Sequence, residues 1–261
     1  MRVTILGCGG SAGVPMLGGA DGRGDWGVCN PAEPRNRRSR TSIVIEGDDG
    51  RCLLVDTSPD LKSQLLAAGI PRIDAIFYTH AHADHVAGLD ETRSLNRIVG
   101  RPIEVFGTAP VLAEIASRFE YAFRPWSPPS FFRPVLLPRS VAPGETIEIE
   151  GMRLAVFEQD HGNSTTLGFR IGDFTYSTDV VRLTDSALAT IEGTRTWLVD
   201  CFHRRPHPAH ASLDLVHGWS RQLGVERTVL THMGTDLDWS WMQDNLPPGL
   251  EPAHDGMVLS V

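Results

Sequence analysis

The sequence is poor in cysteine. Cys8, Cys29, Cys52 and Cys201 are scattered and form no C-x-x-C pair. That excludes a disulfide framework and makes reduced thiols in a cytoplasm the simpler expectation. No apolar run approaches the ~20 residues of a membrane span, so no membrane partner is expected. Positive charge is also short: 24 Lys and Arg stand against 32 Asp and Glu, a formal net charge of −8. This balance gives no general attraction for nucleic acid or an anionic membrane, and any phosphate recognition has to be local.

The opening Met1-Arg2-Val3-Thr4-Ile5-Leu6-Gly7-Cys8 has the look of a lipoprotein cleavage site. Its apolar run is far too short for a signal segment, so a first strand is expected instead. That strand enters Gly7-Cys8-Gly9-Gly10-Ser11-Ala12-Gly13, a weak dinucleotide fingerprint. A dinucleotide turn must open a helix, whereas more glycines and Pro15 follow here, so no nucleotide cofactor is expected. A Gly-rich turn after a strand can still bring backbone N–H groups to a phosphate or to the rim of a metal site.

The chain does carry a dense polar cluster, Thr79-His80-Ala81-His82-Ala83-Asp84-His85, directly after the apolar run Ala75-Ile76-Phe77-Tyr78. An apolar run ending in such a cluster reads as a buried strand leading into a loop. The small alanines let the backbone fold tightly, so that His80, His82, Asp84 and His85 can converge on one small volume. Their nitrogen and oxygen donors suit Zn or Mn. The alternative is a surface loop that happens to be rich in histidine.

Residues 14–40 hold many Gly, Pro and Arg residues without periodicity and are read as a long loop. Arg35, Arg37, Arg38 and Arg40 within it are either internally paired or solvated, or they serve a substrate. Ser42–Glu46 and Cys52–Val55 flank Gly47-Asp48-Asp49-Gly50 as a β-hairpin. Helical spacing covers 60–68 and stops at Gly69. Helices are also expected over 90–98, 109–119, 183–191 and 213–223. Residues 120–144, rich in Pro and aromatics, read as an excursion that covers the site or meets a second copy of the chain.

In the second half, strands over 153–157, 174–178 and 227–230 end close to His161, Asp179 and His232 respectively. Taken singly, each of these is more simply a turn residue. Strand ends at one edge of a pair of sheets converge on a common rim, however, and two strand-rich halves with interspersed helices predict a four-layer α/β sandwich over residues 1–261, helices covering two facing sheets. Asp56 closes a strand near the cluster and either orients a ligand imidazole or serves a turn. Asp200, Asp236 and Asp238 are weaker candidates for the same role.

The series H-x-H-x-D-H, then His161, Asp179 and His232, resembles the metallo-β-lactamase superfamily over essentially the whole chain. The resemblance implies the αββα sandwich of that superfamily and a site for two divalent metal ions, Zn or Mn. His80, His82 and His161 would hold the first ion and Asp84, His85 and His232 the second, with Asp179 bridging both around an activated water. Aspartate at 179, where antibiotic-hydrolysing members carry cysteine, looks like the phosphodiesterase and thioesterase branches.

Within the superfamily, Gly7–Ser11, the 35–42 segment and His207-Pro208-Ala209-His210-Ala211-Ser212-Leu213 resemble the phosphoribosyl 1,2-cyclic phosphate phosphodiesterase group. That resemblance implies His210 as the general acid to a departing ribose oxygen, and His210 and Asp84 as the residues that act in catalysis. The chain departs from relatives that carry a C-x-C-x-x-C zinc cluster in the first loop: aligned on Cys29, the other positions are Gly24 and Trp26. The loop is therefore expected to be held by packing, with Trp26 the candidate. The activity expected is hydrolysis of small cyclic or nucleotide-like phosphate esters. Alternatives are tRNA 3′-processing, glyoxalase II-type thioester hydrolysis, and a non-catalytic carrier on the same fold. A net charge of −8 and no long basic insertion argue against a nucleic-acid partner.

Overall fold

A computed structural model describes residues 1–261. In chain order the strands and helices are β1 (Arg2–Gly7), β2 (Ser42–Glu46), β3 (Cys52–Val55), α1 (Leu61–Ala68), β4 (Ala75–Phe77), α2 (Ala83–Val86), α3 (Thr92–Val99), β5 (Ile103–Gly107), α4 (Ala109–Arg118), α5 (Glu120–Phe123) and β6 (Leu136–Ser140). The second half gives β7 (Thr146–Ile149), β8 (Met152–Asp160), β9 (Thr165–Ile171), β10 (Phe174–Ser177), β11 (Arg182–Leu183), α6 (Asp185–Ile191), β12 (Thr196–Asp200), α7 (Leu213–Leu223), β13 (Arg227–Thr231), α8 (Trp239–Asn245), β14 (Leu250–Pro252) and β15 (Val258–Ser260).

One sheet runs β15-β1-β2-β3-β4-β5-β6, and the other runs β11-β8-β9-β10-β12-β13-β14, with β7 also paired to β8. The two-residue period of a strand explains how they stack. In the first sheet Ile43, Ile45, Leu53, Val55, Ala75 and Phe77 face the second sheet and join Phe157, Phe169, Tyr176 and Trp197 in one core. The alternate residues Val44, Cys52, Leu54, Ile76 and Tyr78 face the other way, onto Leu61, Leu65, Leu95 and Ile115 of the covering helices. On the far side, Trp219 of α7 packs on Trp197 at 6.2 Å between ring centroids, and Ser220 Oγ lies 2.8 Å from Thr228 Oγ1. Helix, sheet, sheet and helix make the four layers expected.

Within residues 120–144, which read as an excursion that covers the site or meets a second copy of the chain, the structure forms α5 and an edge strand. β6 pairs in parallel with β5, but four of its five residues are exposed, so no alternation marks it. The intervening turn closes on itself: Trp126 stacks on Phe131 at 4.5 Å, and Arg133 donates to the carbonyls of Arg124 and Pro125. Arg97 Nε of α3 anchors it through the Phe131 carbonyl at 3.0 Å.

The 14–40 loop is held differently from the expectation. Trp26 is only half-buried beneath the Arg37 guanidinium. The anchor is Arg38, 1% exposed, whose guanidinium donates to the carbonyls of Gly234 and Leu237 and to Asn36 Oδ1 at 3.1, 2.6 and 3.2 Å. Asn36 Nδ2 in turn donates to Asp238 Oδ2 at 2.7 Å. Arg35 pairs with Glu33 and Arg40 with Asp60, so the basic cluster is largely paired internally.

Candidate metal centre

Every chemical group of interest hangs from the same rim. His80 and His82 follow β4, Asp84 and His85 lie on α2, His161 follows β8, Asp179 follows β10 and His232 follows β13. Two strand ends turn their residue into the left-handed region, Asp179 at φ 52° and His232 at φ 54°; Asp56, just past β3, does the same at φ 62°. Asp and His accept this conformation more readily than bulkier residues, though still at a cost of order 1 kcal/mol. The turn swings each side chain off the strand axis and into the rim.

The result is two donor groups that share one residue. His80, His82, His161 and Asp179 form the first, and Asp84, His85, Asp179 and His232 the second, the donor atoms within each lying within 4.8 Å of one another. Asp179 divides its carboxylate between them. Its Oδ1 faces His80 Nε2 at 3.8 Å and His161 Nε2 at 3.6 Å, while Oδ2 faces His85 Nε2 at 3.2 Å and His232 Nε2 at 3.4 Å. Asp84 Oδ2 completes the second group, 3.3 Å from His85 Nε2 and 3.6 Å from His232 Nε2. All seven residues singled out in the sequence are thus brought together.

The surrounding hydrogen bonds fix which ring nitrogen faces inward. Fully buried Asp56 takes His85 Nδ1 at 2.7 Å, and also accepts from the Thr79 N–H at 2.9 Å and Thr79 Oγ1 at 2.8 Å. Since Thr79 gives its hydroxyl proton to Asp56, it can only accept from His80 Nδ1, 3.0 Å away. His161 Nδ1 donates to the Ala209 carbonyl at 2.7 Å. In each case Nδ1 is occupied and Nε2 is left for the centre.

Those inward atoms are buried without a hydrogen-bond partner: His80 Nε2, His85 Nε2 and His232 Nε2. Burying such groups unsatisfied is costly, which is the signature of atoms meant to bind something the polypeptide does not supply. Imidazole and carboxylate donors at this density fit divalent metal ions. His82 is exposed and Asp84 partly so, which leaves one side of the centre open to a substrate.

The electrostatics show how strongly these groups interact. Burial pushes His80 well below the usual histidine value, and His161 also downward. Burial acts in the same sense on His85 and His232, but Asp179 and the other carboxylates outweigh it, taking His85 well up and His232 to about 9. Burial would raise the Asp179 carboxyl, yet His232, His85 and His80 hold it well below the usual carboxylate range.

His210 lies on the same rim. Its Nδ1 is 2.9 Å from Asp200 Oδ2, and its ring packs among His161, His232 and Phe202, each at 4.7 Å between centroids. Asp200 is fully buried, accepts the Val180 N–H at 3.0 Å, and places Oδ1 3.7 Å from His232 Nδ1. Asp56 and Asp200 therefore both orient imidazoles. Asp236 instead sits 2.9 Å from His203 Nδ1, and Asp238 caps α8 by accepting from the Trp241 N–H at 2.9 Å. Thr79 was missed in the sequence; a hydroxyl immediately before the first histidine was the available signal.

A family model described as a beta-lactamase superfamily domain matches residues 51–233. The chain is 32% identical to the crystal structure of "a New Diphosphatase from the PhnP Family", with a TM-score of 0.89 over 100% of this chain and 97% of that one. It is 30% identical over 259 residues to an octanoyltransferase of Porphyromonas gingivalis, covering 98% of this chain but only 51% of that relative. The chain thus spans about half the length of that protein. It is also 26% identical over 280 residues to a ribonuclease Z of Methanopyrus kandleri, covering 88% of this chain and 94% of the relative.

Proposed function

The chain belongs to the beta-lactamase superfamily domain family, and from that premise we propose that this hydrolase is a metal-dependent phosphodiesterase acting on small cyclic or nucleotide-like phosphate esters. The observation that carries the reading is the division of the Asp179 carboxylate between two donor groups with His210 packed beside both. In this reading His80, His82 and His161 would hold one divalent ion and Asp84, His85 and His232 a second, with Asp179 available to both. Zn and Mn each suit the donors. Two such ions supply a water activated near neutral pH and neutralise charge on the non-bridging oxygens of a phosphoryl group.

The chain's own residues do the rest. Asp56 and Thr79 hold His85 and His80 in the tautomer that offers Nε2. Asp200 holds His210 by Nδ1, which leaves Nε2 to deliver a proton to the departing ester oxygen. An alkoxide leaving group needs that proton, and imidazole is poised to give it. Asp84, on the open side, joins His210 in shaping the path of the reacting group. We read residues 1–261 as one hydrolase domain working in the cytoplasm on a small substrate, with a second copy of the chain as the partner to test for.

The deciding experiment is a screen of cyclic and linear phosphodiesters against protein reconstituted with Zn or Mn. Turnover of at least one small diester, lost on chelation, is the expected result; hydrolysis of a glutathione thioester with no diester activity would replace the reading. The ribonuclease Z relative supports a second reading, cleavage of tRNA precursors. A gel shift with tRNA at moderate salt separates the two, because RNA affinity rests largely on phosphate contacts that a chain of net charge −8 supplies poorly. Correctly folded protein that takes up no metal and turns over nothing would point to a carrier.

A further inference from the structure

The turn that carries His80 and His82 has a neighbour outside the donor set. Helix α4 begins at Thr108, whose hydroxyl accepts from the Val111 N–H, and Leu112 and Ile115 seat it in the core beneath the covering helices. Ala81, the residue between the two histidines, is buried in that same core with Tyr78 and Val86. The helix therefore ends against the turn. Its last residue, Arg118, donates from Nη1 to the Ala81 carbonyl and from Nη2 to Glu114, four residues earlier. A half-exposed pair of this spacing contributes little to stability by itself, but it holds the guanidinium in the plane that meets the carbonyl.

Other carbonyls of the loop are tied by main-chain donors. Thr79 accepts from the Leu167 N–H of β9 at 3.0 Å, His82 from the His85 N–H at 3.0 Å, and His85 from the Thr57 N–H at 2.7 Å. The Ala81 carbonyl is met by a charged side chain instead, the stronger kind of hydrogen bond. The imidazoles show a matching division. His80, His85 and His161 are held at Nδ1 by Thr79, Asp56 and the Ala209 carbonyl. His232 is buried and stacked between His85 and His210. His82 is exposed and no protein group hydrogen-bonds its ring, whose aromatic neighbours are His80 at 4.5 Å and His161 at 5.1 Å between centroids. A ring without such a partner is aimed only by its own backbone. The Ala81–His82 peptide does the aiming, and Arg118 holds that peptide by its oxygen.

On the reading that His80, His82 and His161 would hold a divalent ion, we infer that Arg118 is a positioning residue for the His82 imidazole. It does through the peptide what Thr79, Asp56 and the Ala209 carbonyl do through ring nitrogens for the other histidines. The effect should fall on the first donor group, because Asp56 holds the His85 ring of the second directly. His82 stands on the open side of the centre, so its orientation has to be fixed without closing the approach to it.

Zn²⁺ titrations of the full chain against a chromophoric chelator test this, with His82→Ala marking which binding step belongs to the first donor group. Arg118→Met should weaken that step about tenfold and leave the other within about twofold. Arg118→Lys, which keeps a cationic donor for the carbonyl, should recover most of the loss. In the His82→Ala background Arg118→Met should cost nothing further, because the ring it aims is gone. The metal-free variants should melt together with the wild type; if Arg118→Met melts lower, the lysine rescue and the double variant still decide. An unchanged first step, equal weakening of both steps, or an additive loss in the double variant overturns the proposal. These outcomes hold whether or not a diester is turned over, so absence of diester hydrolysis with the expected titrations removes the phosphodiesterase reading and leaves the role of Arg118 standing. A wild type that takes up no Zn²⁺ overturns the donor-group reading and the proposal together.

Discussion

Asp56 and His85 meet at 2.7 Å with no solvent exposure on either side chain, and through Thr79 the same carboxylate also governs His80. One buried acid therefore sets the orientation of one imidazole in each donor group. Asp56→Asn retains size and tolerance of a positive φ but removes the carboxylate. Metal affinity should fall by about 10- to 100-fold, and Thr79→Val, which leaves the direct Asp56–His85 hydrogen bond in place, should cost less. Titration against a competing chelator measures both. No loss in Thr79→Val would mean that His80 is not held through Thr79.

His210 is the proposed proton donor and not one of the seven proposed metal ligands. His210→Ala should keep the bound metal while lowering turnover of a diester with an alkoxide leaving group by about 10²- to 10⁴-fold. A nitrophenyl ester, whose leaving group needs no proton, should be affected much less. Metal analysis and kcat for the two esters provide the check; equal losses on both would remove His210 from that role.

Proton bookkeeping gives a pH dependence with a defined sign. In the metal-free chain Asp179 and its neighbours overcome burial to raise His232 to about 9, and they take His85 well upward. Both imidazoles carry protons at pH 7 that a metal ion must displace. Apparent metal affinity should rise with pH, by about tenfold per unit for each proton displaced, until His232 no longer contributes above about 9. Stability of the metal-free chain runs the other way. The contribution of His232 is complete below its ordinary value of 6.5 and is lost as pH rises through about 9. Calorimetry in buffers of different ionisation enthalpy counts the protons released at pH 7, and finding none would contradict this account.

Arg38 anchors the long first loop through three acceptors. Arg38→Ala leaves buried carbonyls without donors, which should cost about 3 kcal/mol and lower Tm by roughly 6–12 °C for a chain of this size. Trp26→Ala, removing a half-buried ring, should cost about 1 kcal/mol. Thermal melts of the two variants compare them directly, and the reverse ranking would restore Trp26 as the anchor.

Much of this was legible in the sequence because two periodicities carried it. The hairpin Ser42–Glu46 with Cys52–Val55, helix Leu213–Leu223 and the stop at Gly69, in the left-handed region at φ 65°, all follow from alternation, helical spacing and glycine's freedom. The donors announced themselves by lying just beyond strand ends. Elements whose pattern is masked were missed. β6 is an exposed edge strand with Pro138 inside it, β14 has three residues and also contains a proline, and α8 rests on its Asp238 cap more than on apolar spacing. The role of Arg38 was hidden because its partners are main-chain carbonyls nearly 200 residues away, which no local pattern encodes. Asp56 was recognised as a candidate only; its pairing with His85 depends on a backbone turn that the sequence does not display.

The seven donors come from both sheets: His80, His82, Asp84 and His85 belong to the β4 side, and His161, Asp179 and His232 to the ends of β8, β10 and β13. An ion held by either group would be bonded to both halves of the sandwich at once and would act as a rivet between them. Sliding one sheet over the other would tear the coordination apart, so metal loading would add to the cohesion that the shared core already gives the two sheets. Chelation should lower the melting temperature by an amount that grows with the affinity lost, and heating should release the metal and separate the sheets in the same transition.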